Sequence, residues 1–427
     1  MKSESLLHLN VTRDGGISRR QFLRVSAAGL AAGGLVSRIS AHAGQLKKDG
    51  RACILVWLAG APSQFETWDP KPGTPNGGET KAIPTSVHGL EIAEYWPKMA
   101  KAMSDVAVLR TVVGKEAAHE RGTYHLQTGR RLTGAEQFPH FGSIVAHERG
   151  DAESDLPNFV SVGETLSSGF LGVQFAPFIV ERPGQLPANV SRAVPPPRLN
   201  RRLALLAEQD AEFAQAGART LADEHQKLYG RAARLMASPR LKAFELADES
   251  QPTKTAYGTS PFGQGLLVAR RLVEAGVPFV EVRRGGWDMH DSLYNRIKPA
   301  AADVDTGLSQ LLGDLKQRGL LDRTLVVCLG EFGRTPKLNR RDPAPGRDHW
   351  AKNFGALLAG AGVRGGAVIG KTSSDGQEVA DRPVEVSDLF QTLCKALGID
   401  ASTELYTPQG RPLTIVDGGS VIRELFA

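Results

Sequence analysis

Cysteine is scarce in this chain: there are 3 among 427 residues, Cys53, Cys328 and Cys394. Three thiols cannot build a disulfide framework of the kind that staples small exported folds, so the core must rest on apolar packing. Two of them sit inside apolar, strand-like runs, where buried free thiols are expected. Long apolar stretches are also missing. No segment reaches the ~18 apolar residues that a membrane-spanning helix needs, so no stable span is expected. An excess of one charge is missing as well. The net charge of +6 is concentrated at the N-terminus, where residues 1–43 hold six of the 52 Lys/Arg and two of the 46 Asp/Glu. The remainder carries 46 basic and 44 acidic residues, a net of +2, which gives no reason to expect nucleic acid as a partner. No internal repeat is visible.

What is present begins with a targeting segment. Ser18-Arg19-Arg20-Gln21-Phe22-Leu23-Arg24 has the S-R-R-x-F-L-K/R pattern of twin-arginine signals. A weakly apolar stretch over residues 25–36 follows, and Ala41-His42-Ala43 offers an A-x-A cleavage site. Residues 1–43 are therefore read as a signal peptide, with the mature chain starting at Gly44. The expected partner is the twin-arginine export machinery, and the expected location is periplasmic or secreted. Export in the folded state also hints at a metal or cofactor loaded beforehand.

The mature chain reads as an α/β fold. Apolar runs over residues 51–58 and 324–329 predict strands buried on both faces, the pattern of a parallel sheet, and residues 278–282 read as a further strand. Residues 106–109, 159–162 and 354–359 are weaker strand candidates. Helices are expected over residues 96–103, 119–129, 262–275, 297–318 and 386–397. Residues 195–197 are three prolines, read as a linker. The Ala/Leu-rich, charged stretch over about 199–250 reads as a helical insertion. Strands alternating with helices predict a mostly parallel sheet, in which ligands bind beyond the carboxyl ends of the strands.

Chemistry-bearing residues gather at those ends. Ser63, Glu66 and Asp69 follow the first strand. Asp288 and His290 follow the 278–282 run, and at i and i+2 of an extended segment they share a face. Glu331, Arg334 and His349 follow the 324–329 run, in Gly-rich loops. His119 and Arg121 lie where a loop meets the 119–129 helix, with His125 further along, where a structural role is expected. Asp342 and Asp375 read as ordinary loop carboxylates. Imidazoles and carboxylates drawn from several strand ends suit a divalent metal such as zinc, manganese or calcium. Asp288, His290, Glu331 and His349 are the expected ligands, and His119 is a further ligand or general acid/base. Arg334, with Arg121, suits bidentate recognition of an anion.

Several stretches resemble known sequences. Gly319-Leu320-Leu321-Asp322-Arg323-Thr324-Leu325-Val326-Val327 is similar to the sulfatase run G-L-x-D-N-T-L-V-V. Thr128-Gly129-Arg130 and the later Asp388-Leu389-Phe390-Gln391-Thr392-Leu393 resemble other marks of the alkaline phosphatase/sulfatase superfamily. More closely, Gly60-Ala61-Pro62-Ser63-Gln64, the Gly286-Trp287-Asp288-x-His290 element and Gly330-Glu331-Phe332-Gly333-Arg334-Thr335-Pro336 resemble the exported family called domain of unknown function 1501. The resemblance implies an alkaline phosphatase-like α/β/α sandwich. It also implies a metal-dependent hydrolase of phosphate or sulfate esters, acting on a small anionic ester or on a sulfated or phosphorylated glycan. The departures are informative. The sulfatases' acidic pair after the first strand is Gly60-Ala61 here, and the nucleophile position falls on His119. Their metal-binding pair becomes Glu331-Phe332. The expectation is attack by metal-activated water, with Thr123 as the alternative nucleophile. The competing expectation is a non-catalytic binder of anionic polysaccharide on a degenerate hydrolase fold. Convergence of His119, Asp288, His290, Glu331 and His349 would favour the enzyme.

Overall fold

A computed structural model describes residues 50–134, 136–187, 190 and 195–426. The expected signal peptide, residues 1–43, lies outside the described residues. β1 (Ala52–Leu58) is buried along its whole length, as its unbroken apolar sequence requires. Along the chain follow β2 (Val106–Val113), β3 (Phe159–Val162), β4 (Phe178–Val180), β5 (Phe279–Arg284) and β6 (Thr324–Leu329). β7 (Phe354–Ala359), β8 (Val368–Ile369) and β9 (Val384–Glu385) complete one sheet. Its order is β8-β2-β7-β6-β1-β5-β3-β4, with β9 also beside β2. Every pairing is parallel except those of β7, which runs antiparallel to both β2 and β6.

The helices are α1 (Pro97–Ala102), α2 (His119–Thr128), α3 (Phe141–Arg149), α4 (Pro196–Phe213), α5 (Arg219–Ala237), α6 (Pro261–Glu274), α7 (Leu293–Gln317) and α8 (Val386–Leu397). The period-2 alternation of the strands sorts their side chains into two cores. Ile54, Val56 and Leu58 pack with residues of α1, α6 and α7, such as Met99, Leu266 and Leu311. Cys53, Leu55 and Trp57 pack on the other face with Ile144 of α3 and Leu389 of α8. This is the expected α/β/α sandwich. Shortening a fully buried residue such as Leu266 or Leu311 to Ala costs about 2–5 kcal/mol. α8 begins on a reciprocal capping box between Glu385 and Asp388 and ends on Gly398 in the left-handed region.

Three boundaries differ from the sequence reading. The helical insertion is shorter than 199–250: α4 and α5 meet at a kink where Gly217 takes φ 102°, and α5 stops before Pro239. The three prolines are not a linker throughout, because Pro196 and Pro197 open α4, where the first-turn N–H groups have no helical acceptor anyway. α7 starts at Leu293, ahead of the expected 297. All three cysteines are buried and free, and burial pushes the Cys394 thiol up to about 12. No helix of the described residues is long and apolar enough to cross a membrane.

Candidate metal centre and cleft

The carboxyl ends of β1, β5 and β6 lie side by side because these strands are parallel neighbours. β1 runs into Gly60, whose φ of 105° suits only glycine and whose added Cβ would stand 2.5 Å from the Asp288 amide nitrogen. That close approach brings the loop after β5 onto the loop after β1. Glu331 follows β6, and His119 opens α2. A short antiparallel ribbon pairs His349 with Arg334 and holds His349 over the same edge.

Four of the five residues, His119, Asp288, His290 and His349, converge, whereas Glu331, expected as a ligand, supports His119 from behind. Asp288 Oδ1 lies 2.9 Å from His290 Nε2 and 3.3 Å from both His119 Nε2 and His349 Nε2. The ligand atoms of His119, Asp288 and His349 all fall within 4.8 Å of one another, and His290 Nε2 is 2.9 Å from His349 Nε2. Each imidazole is held from behind. His119 Nδ1 is 2.6 Å from Glu331 Oε1, His290 Nδ1 is 2.7 Å from Asp348 Oδ1, and His349 Nδ1 is 2.7 Å from the Ala117 carbonyl. Carboxylates and carbonyls accept, so each Nδ1 carries a proton, and a ring protonated at Nδ1 alone turns its Nε2 lone pair inward. Three lone pairs and a carboxylate oxygen facing one point repel one another unless a proton or a metal cation lies between them. Among the described residues, buried His119 Nε2 and Glu331 Oε2 have no hydrogen-bond partner, which fits the same requirement.

Burial would raise the Asp288 carboxyl, but the hydrogen bond and charge of Arg334 outweigh it and hold it down at about 2. The hydrogen bond to Glu331 raises His119, whereas burial lowers His349. Glu331 stands behind His119 rather than beside the other ligand atoms, with Oε1 also accepting from the Gly60 N–H at 2.8 Å. Arg334 is buried and its donors are engaged. Nε donates to Ala61 O (2.8 Å), Nη1 to Arg347 O (3.1 Å), and Nη2 to Gly60 O (2.6 Å) and Asp288 Oδ1 (2.5 Å). In this arrangement it positions Asp288.

Glu66 and Asp69 serve the scaffold. Glu66 is fully buried against Arg347, at 2.8 Å to Nη2 and 3.0 Å to Nε, and also accepts from Thr80. Asp69 meets Lys71 at 3.0 Å and Thr372 at 2.5 Å. His125 is buried, and burial lowers it to about 4. Arg121 is exposed on α2.

A cleft of about 370 Å³ opens beside the convergent residues. His119, Thr123 and Gln127 line it at i, i+4 and i+8 of α2, with Arg283, Asp288 and Glu331 on other walls. Behind it Glu281 is fully buried in β5, accepting from Gln127 Nε2 at 3.0 Å and Thr165 Oγ1 at 2.7 Å. Sequence reasoning passed over Glu281, Arg347 and Asp348 as supporting residues. A charge in the middle of the apolar run Phe279-Val280-Glu281-Val282 was the available signal for Glu281. Adjacency to His349 was the only one for Asp348.

A sandwiched, mostly parallel sheet with a candidate site beyond the carboxyl ends of the central strands defines a three-layer α/β protein. The chain belongs to the family described as protein of unknown function (DUF1501), whose model matches residues 50–426. No curated protein matches the sequence. Among solved structures, the chain is similar to PsFucS1 sulfatase from Pseudoalteromonas sp. at 12% identity and a TM-score of 0.41, covering 84% of this chain and 72% of that one. It is also similar to a protein in the alkaline phosphatase superfamily from Vibrio parahaemolyticus, at 14% identity and a TM-score of 0.35 over 83% and 67% of the two chains. A third similar structure is alkaline phosphatase from the Antarctic bacterium TAB5, at 14% identity and a TM-score of 0.35 over 81% and 98%.

Proposed function

We propose that this chain is a metal-dependent hydrolase of phosphate or sulfate esters, exported in folded form by the twin-arginine pathway to the periplasm or beyond. The observation that carries the reading is the inward convergence of three imidazole nitrogens and one carboxylate oxygen, each imidazole fixed from behind. His119, Asp288, His290 and His349 would hold the ion. Three nitrogens and one oxygen suit zinc or a similar transition ion better than calcium, which takes oxygen ligands. A divalent ion held there would supply Lewis acidity and lower the pKa of a bound water towards neutrality. Glu331, Asp348 and the Ala117 carbonyl fix the tautomers of the three rings, and Arg334 keeps Asp288 ionised and aimed. The cleft along α2 admits the ester, with Thr123 as the hydroxyl beside it.

The test is metal analysis by plasma mass spectrometry of exported protein purified without chelator. Stoichiometric zinc or manganese, lost in Asp288→Ala and His349→Ala, is expected, together with hydrolysis of nitrophenyl phosphate or sulfate. Folded protein that stays empty when either metal is added would sink the reading and leave the non-catalytic binder of anionic glycan in its place.

A further inference from the structure

A second cavity, of about 330 Å³, shares no lining residue with the cleft. It lies between α5 of the helical insertion, α3, and the short helical turn Val173–Phe175. Its walls are mainly hydrocarbon and aromatic: Phe159, Val173, Phe175, Phe178, Leu228 and Leu235. Val173 and Leu228 are 56% and 39% exposed, so apolar surface continues to the mouth. Isolated exposed apolar residues are ordinary, but these two meet at one concavity.

Two charged side chains line the cavity, and they differ. Asp155 is engaged by Arg240 and by Ser238 Oγ at 2.5 Å. Arg231 donates to the backbone carbonyl of Gln174, and no carboxylate pairs with it among the described residues. Its neighbour Arg234, three residues on, adds like charge and binds the Ala152 carbonyl at 3.1 Å. Burial and Arg234 together push the Arg231 guanidinium down from its ordinary value. A guanidinium set against apolar walls without a counter-charge is unfavourable, and an anion placed on it recovers that cost.

We propose that this cavity binds a single-chain amphiphilic anion, such as a medium-chain fatty acid, with its hydrocarbon tail among the aromatic and aliphatic walls and its carboxylate on Arg231. The volume lies at the small end of ligand pockets, which fits one chain rather than two. The site is independent of metal and ester chemistry in the cleft.

Isothermal titration of the exported full chain with decanoate, below its micelle concentration, tests this. Saturable one-to-one binding is expected, weaker by about tenfold or more in Arg231→Gln, the range for losing a hydrogen bond to a charged group. Leu228→Glu, which places a like charge at the mouth on a solvent-facing position, is expected to weaken it too. 1-Decanol, with the same tail and no charge, should bind more weakly and equally to wild type and Arg231→Gln. Absence of saturable binding, unchanged affinity in both variants, or binding to phosphatidylglycerol vesicles without binding to decanoate would each overturn the proposal. Circular dichroism of each variant separates lost binding from lost folding.

Discussion

Two clusters of charged residues stand at the same end of the sheet, and they are built from similar parts. In one, Glu66 faces Arg347; in the other, Asp288 faces Arg334. Both arginines are buried, and both also donate to backbone carbonyls. The difference lies in what else each carboxylate meets. Glu66 receives further donors from Thr80 and the same guanidinium, so the group is closed and its hydrogen bonding is complete. Asp288 meets three imidazole nitrogens, each opposite an Nδ1 held by Glu331, Asp348 or the Ala117 carbonyl. A carboxylate with an arginine is scaffold or site according to whether its surroundings give it donors or lone pairs.

The largest expected effect breaks the closed cluster. Arg347→Met strands the fully buried Glu66 charge and should cost about 3–5 kcal/mol in denaturant unfolding. Because Asp348 and His349 follow Arg347 directly, metal content should fall as well. A variant as stable as wild type would erase the distinction between the clusters. Next in size is Asp348→Asn, which loosens His290 without opening the core. Metal affinity, read by chelator competition, should drop about 10–100-fold with little change in stability. Equal affinity would show that His290 needs no support.

His125 sharpens the comparison from the scaffold side. Its folded pKa is about 4, below the ordinary histidine value, so the unfolded chain takes up its proton first. Its contribution to stability is therefore lost as pH falls from about 6.5 towards 4. His125→Gln should lose about 2 kcal/mol less than wild type between pH 7 and pH 4.5, read by urea midpoints. Parallel loss in both proteins would contradict the assignment. The smallest effect belongs to the exposed pair of Arg283 with Glu164, 3.3 Å apart. Glu164→Gln should change stability by no more than about 0.5 kcal/mol in the same assay. A larger loss would mean that the cleft rim is structural.

Much of this was legible in the residue order. Unbroken apolar runs placed β1 and β6, and an amphipathic period placed α8, because burial on both faces or on one helical face leaves little choice. The rule that sites lie beyond parallel strand ends drew attention to Asp288, His290, Glu331 and His349. The role of Arg334 was not legible, because the carbonyls of Gly60, Ala61 and Arg347 that absorb its donors come together only in the fold. The same holds for Glu331, whose place behind His119 depends on how α2 packs. The Gly217 kink was hidden in an Ala-rich stretch that favours helix on both sides.

Strand β7 carries a consequence of its own. An apolar run does not encode direction, and this one reverses inside an otherwise parallel sheet. A parallel successor to β6 would need a crossover back to the opposite rim before starting. Reversal removes that return trip. The whole excursion from Gly330 to Asn353 stays above one rim, and both of its limbs deliver side chains there: Glu331 and Arg334 on the way out, Arg347, Asp348 and His349 on the way back. The chain can lengthen or reshape that overhang without rethreading the layers beneath it.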